Sequence, residues 1–124
     1  MTIENAYRAR VALNKISCNA MPAKTAYKIS KLCSALKDDA NFYTERLSQI
    51  IEQYGEKDEN GEPVISGNGY KIQEDKTDEC AAAIKELGGI EAAIPDSKIY
   101  LSELDGVELS PDDIAAIYAF IEED

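Results

Sequence analysis

Apolar residues recur at steps of three and four through the first half of the chain, a spacing that predicts helices. Over residues 2–18, Ala6, Ala9, Leu13 and Ile16 share one face, Thr2 is placed as a cap, and Arg8, Arg10 and Lys15 fall on other faces. Asn19-Ala20-Met21-Pro22 breaks this helix. Pro22 suits the first position of a second helix, where its missing N–H costs nothing. From Ala23 to Tyr54 there is neither glycine nor proline. Ile29, Leu32, Leu36, Ala40, Tyr43, Leu47, Ile50 and Tyr54 follow at steps of 3, 4, 4, 3, 4, 3 and 4. This is a heptad-like seam with one extra residue between Leu36 and Ala40, where Asp38-Asp39 suggests a solvated kink or a docking point. At 1.5 Å per residue such a helix spans roughly 50 Å, longer than a small core. The seam therefore predicts an overhang, or an oligomer contact along Ile29, Leu32, Leu36, Tyr43, Leu47, Ile50 and Tyr54. Gly55 is expected to end the helix.

The second half has shorter periods. Residues 56–63 form a polar turn region. Val64-Ile65-Ser66 and Tyr70-Lys71-Ile72, joined by Gly67-Asn68-Gly69, read as a β-hairpin. Two short strands alone are marginal, so the hairpin must pack on a helix or gain a third strand. Residues 74–87 predict a helix capped by Thr77 or Asp78, with Ala81, Ile84 and Leu87 inward and Gly88-Gly89 as its stop. Residues 90–94 read as extended up to Pro95. Residues 98–104 alternate through Ile99 and Leu101 as a strand or arm, and Asp105-Gly106 turns the chain. Ser110-Pro111-Asp112-Asp113 opens a last helix with a capping hydroxyl, a proline and two acids at its positive end. Ile114, Ile117, Tyr118 and Ile121 form its apolar face, and the terminal acids 122–124 predict fraying. The expected fold is one mostly helical α+β domain over 1–124. A basic helical hairpin (1–54) carries an acidic α+β part (55–124) with a small β-hairpin and a capped C-terminal helix.

Charge sharpens this division. The 124 residues include 13 basic and 24 acidic ones, a net charge of −11. Residues 1–37 hold seven basic residues and one acid, a net of +6; residues 38–124 hold six basic residues and 23 acids, a net of −17. The acidic part can fold back on the basic helices, mediate self-association, or bind a basic surface elsewhere. It can also be no more than a solvated face. The balance excludes a general nucleic-acid binder. No apolar run approaches the roughly 20 residues that span a bilayer, and no leader is expected.

The missing residue types narrow the chemistry. There is no histidine, so no Ser-His or Cys-His nucleophile pair and no imidazole metal ligand. Cys18, Cys33 and Cys80 are too few for a four-sulfur zinc site and show no C-x-x-C spacing. They are expected as buried small hydrophobes. No catalytic residue, metal or cofactor is expected. Glu56-x-Asp58-x-Asn60-Gly61 echoes the start of a calcium loop, but Gly67 stands where a bidentate glutamate belongs. Gly67-Asn68-Gly69 lacks the P-loop lysine and hydroxyl, which favours a hairpin turn over a phosphate cradle. Of the seven tyrosines, Tyr27, Tyr43, Tyr54 and Tyr118 are expected in the core, while Tyr7, Tyr70 and Tyr100 are less clearly internal. Tyr7 with Arg8 and Arg10, joined by Tyr70 and Tyr100, is the candidate pocket for an anionic small molecule. Asp58, Glu59, Glu62, Asp112 and Asp113 are the candidate partner-binding acids.

Three stretches carry a family resemblance. Residues 21–31, 54–64 and 101–111 resemble runs found in the same order in small uncharacterised phage and prophage proteins of Gram-positive bacteria. The resemblance implies a phage-borne gene acting in the cytoplasm of a bacterial host. It supplies no site residues. The expectation is a non-enzymatic protein with a basic protein partner, an acidic inhibitor of a host defence or nucleic-acid-handling protein. A homo-oligomer is also expected. The alternatives are a virion tail or connector assembly factor, and an oligomeric sponge for an anionic nucleotide signal.

Overall fold

A computed structural model describes residues 1–67 and 69–123. The chain is a mostly helical α+β fold. Its first half is the long helical hairpin that the apolar steps predict: α1 (Ile3–Ser17) and α2 (Ala23–Tyr54). Thr2 caps α1, its Oγ1 accepting from the Asn5 N–H at 3.2 Å. Pro22 stands one place earlier than expected, as the extended cap residue of α2, with its carbonyl accepting from the Ala26 N–H at 3.0 Å. α2 continues through Asp38-Asp39 without a break for 32 residues, about 48 Å at 1.5 Å per residue. Arg10 bonds Asn41 and Cys33 bonds Asn14, so the two helices run antiparallel.

The expected overhang is absent. α1 covers the N-terminal part of α2, and α3 (Thr77–Gly88) covers the rest. Their 15 and 12 residues reach about 40 Å when laid end to end. The joint is a short β-like clip: the Ile3 N–H donates to the Ile90 carbonyl at 2.9 Å, and the Ala92 N–H to that of Met1 at 2.8 Å. Ala6, Ala9, Leu13 and Ile16 meet Ile29, Leu32 and Leu36 in one core, completed by Ile99, Leu104, Ile117 and Phe120. Ile3, Tyr43, Ile50, Cys80 and Leu87 form an adjoining one. The buried alanines of α1 let the two backbones approach closely. Ile29, Leu32, Leu36, Tyr43 and Ile50 are buried and Leu47 and Tyr54 half-buried within the chain itself. This seam is thus filled by α1 and α3 and is not left open for a second copy.

α3 differs in detail from its expected form. A 3₁₀ turn at Glu74–Lys76 precedes it, and Lys76 is the cap residue, its side chain making no capping hydrogen bond. Cys80 and Leu87 face the core while Ala81 is exposed, because α2 lies on the other side of the helix. The C-terminal part closes on itself. β3 (Ile99–Tyr100) is shorter than the 98–104 alternation suggests and passes into a 3₁₀ turn at Leu101–Leu104. α4 (Pro111–Ile117) ends in a further 3₁₀ turn at Tyr118–Phe120, and β4 (Ile121–Glu122) pairs parallel to β3 through Ile99 and Ile121. Of the terminal acids 122–124 expected to fray, Glu122 is held in β4 and Asp124 lies outside the described residues; Phe120, missed by the helical pattern, is fully buried. Tyr27 and Tyr118, expected in the core, are 70% and 75% exposed. Cys18, also expected inside, is exposed at the end of α1.

One polar cluster pins this part to the hairpin. The Glu103 carboxylate accepts from Lys28 Nζ at 2.6 Å, Thr25 Oγ1 at 2.9 Å and the Tyr100 N–H at 3.1 Å. Lys28 Nζ also lies 5.0 Å from the centre of the Tyr100 ring. Among the described residues no helix is long and apolar enough to cross a membrane.

Candidate functional site

The C-terminal end of α2 builds a small, acidic β-tip. Gly55 ends the helix without left-handed geometry: its φ is −67° and its N–H donates to the Ile51 carbonyl at 2.7 Å. A Cβ here would stand 2.7 Å from that carbonyl oxygen. The chain leaves as an extended segment and supplies the third strand that the hairpin needs. The Glu56 N–H donates to Lys71 at 2.7 Å, the Lys71 N–H to Val64 at 2.8 Å, and the Val64 N–H back to Glu56 at 2.9 Å. This ring of three bonds ties three short segments together. β1 (Ile65–Ser66) and β2 (Gly69–Tyr70) project beyond it as an antiparallel pair. Asn68, the middle of the candidate phosphate cradle, lies outside the described residues.

Ile65 pairs directly with Tyr70. Directly opposed residues present their side chains on the same face of a sheet. Both are exposed, 71% and 52%. Tyr70 also lines a groove of about 430 Å³ with Ser48, Ile51, Glu52, Glu56 and Glu62. Lys71 offsets part of the charge through an ion pair with Glu56 at 3.3 Å. The turn before β1 is self-braced. Asp58 Oδ1 accepts from the N–H groups of Asn60 at 2.9 Å and Glu62 at 3.0 Å, and Gly61 takes the positive φ, 78°. The calcium-loop echo is this turn, with Asp58 engaged by backbone. Among the described residues no group of three or more Asp, Glu or Cys is placed to hold a metal.

Of the five candidate partner-binding acids, Glu59 and Glu62 are exposed in the tip turn, and Asp58 is held there by its backbone bonds. Asp112 and Asp113 belong to α4, which packs on α1 away from the tip. Asp113 is a structural residue: Lys15 Nζ donates to it at 2.9 Å, and it exchanges bonds with Ser110 in a capping box. Lys15, then these Ser110 bonds, hold its carboxyl below the usual range.

The anionic-ligand constellation is not assembled. Arg8 pairs with Glu4 at 2.7 Å, whereas Arg10 reaches Asn41 on α2 at 3.2 Å, with its Nε buried. The Tyr7 ring packs on Tyr43, 5.3 Å between centres. Tyr7 and Arg8 do border a groove of about 620 Å³ between α1 and α4, but Asp112 and Asp113 face it too, which disfavours an anion. Burial pushes the Cys33 thiol up, against a smaller opposing pull from Arg10.

The adjacent apolar residues Val64 and Ile65 mark a tip strand without telling which of them the fold covers. For that reason Ile65 carries no site signal in the sequence, while Tyr70, grouped there with Tyr7, Tyr100, Arg8 and Arg10 as a candidate anion pocket, lies instead on the tip opposite Ile65. Compared with known proteins, the chain matches no family model, no curated protein and no solved structure.

Proposed function

We propose that this chain is a non-enzymatic binding protein that docks its acidic tip onto a basic surface of another protein and blocks it. The observation that carries this reading is the Ile65–Tyr70 pair, 71% and 52% exposed, with Glu52, Glu56, Lys57 and Glu62 lining the groove beside Tyr70. An exposed apolar centre within a polar rim is the anatomy of a protein interface, and a tyrosine at its centre suits an energetic anchor. Glu52 and Glu62 in that groove, with Glu59 exposed in the adjoining tip turn, favour a positively charged partner and speed its encounter. A host defence or nucleic-acid-handling protein offers such a surface, in keeping with the phage-type resemblance of the sequence.

The test is affinity capture from bacterial host extract with three baits. Wild type is expected to retain a basic protein, with retention weakening as salt is raised. Glu59→Lys with Glu62→Lys should lose it, and so should Ile65→Ser with Tyr70→Ser, while circular dichroism stays unchanged. Capture that survives both double substitutions contradicts the proposal.

A further inference from the structure

The buried seam uses one face of α2, and the opposite face carries a different pattern. Lys24, Tyr27 and Lys31 precede Ser34-Ala35; Asp38, Phe42 and Glu45 follow, and all are exposed. At about 100° per residue they fall in one stripe, turned away from Ile29, Leu36 and Leu47. The stripe is self-complementary in reverse. Counting outward from the Ser34–Ala35 midpoint, Lys31 mirrors Asp38, Tyr27 mirrors Phe42, and Lys24 mirrors Glu45.

We infer that this stripe is the interface of a twofold homodimer in which α2 lies antiparallel against α2 of a second copy. A twofold axis at the midpoint sets each lysine against an acid and each tyrosine against a phenylalanine, every contact made twice. Ser34 and Ala35 at the crossing point let the helices approach closely. Phe42 borders a groove of about 190 Å³ with Arg46, Ile50, Leu87 and Ile90, which receives Tyr27 of the second copy. Tyr27 is 70% and Phe42 51% exposed in the single chain, and such aromatic pairs favour contact beyond their buried area. The charge argument is specific to this face. Two lysines and two acids make it locally neutral on a chain of net charge −11, which elsewhere opposes self-association. Among the described residues none of these four side chains has an ion-pair partner within the chain. The dimer uses neither Ile65 nor Tyr70, so it stands independently of the proposed partner site.

Sedimentation equilibrium of the full chain tests it. Wild type is expected at twice the 13.6 kDa chain mass. Lys24→Glu with Lys31→Glu, and separately Asp38→Lys with Glu45→Lys, should each sediment as a monomer. An equimolar mixture of the two should return to the dimer mass, which no misfolded variant would do. Tyr27→Ala should weaken association by about tenfold or more. A monomeric wild type overturns the inference. So does a dimer that persists in both charge-reversed variants, or a mixture that stays monomeric.

Discussion

Glu103 shows how one side chain can join distant parts of this chain. It accepts from Lys28 and Thr25, 75 and 78 positions away in sequence, and from the nearby Tyr100 N–H. Lys28 first, with the Tyr100 and Thr25 bonds, holds its carboxyl at about 2 against an ordinary 4.5. A carboxyl depressed on folding adds stability that is fully present above its unfolded value and is lost as pH falls. The window here runs from about 4.5 down to about 2. Glu103→Gln should lower stability at neutral pH by about 1–3 kcal/mol, because Lys28 and Thr25 lose a charged acceptor. Urea unfolding at a series of pH values checks this: the gap between wild type and variant should narrow through that window. A gap that is constant with pH contradicts the assignment.

Among the elements, legibility follows the length of the period. α2 was readable end to end, since its run without glycine or proline and its steps of three and four leave no other reading. α4 was readable at its start, where Ser110, Pro111 and Asp113 form the capping box, but not at its end. Two-residue strands have no period, so the parallel pairing of Ile99 with Ile121 had no local signal. The same holds for the partners of Glu103. The covering of the α2 seam by α3 was missed because one apolar stripe can be filled equally well by the chain itself or by a second copy. Phe120 is fully buried beneath this C-terminal closure. Phe120→Ala should cost about 3–5 kcal/mol, measurable as a fall in the urea midpoint with little change in slope. A loss near zero would mean that the β3–α4–β4 unit is not packed on the hairpin.

For the whole molecule, the charge division of the sequence resolves into three uses. Lys15 with Asp113 and Lys28 with Glu103 tie the acidic part back onto the basic helices. Lys24 and Lys31 remain for the second copy inferred above, and Glu52 and Glu62 line the groove beside Tyr70 at the tip. A twofold dimer carries two such tips, which strengthens binding to a partner that offers two sites. In the proposed function the tip is the surface that meets the partner. The most direct measurement is photo-crosslinking in bacterial cells, with a photoreactive residue at position 70 in one variant and at position 118 in another. Tyr118 is a fair control, since it is 75% exposed and lies on the 3₁₀ turn after α4. An adduct with a basic protein is expected from position 70 and none from position 118. An adduct from position 118 alone, or equal adducts from both, would contradict the proposal.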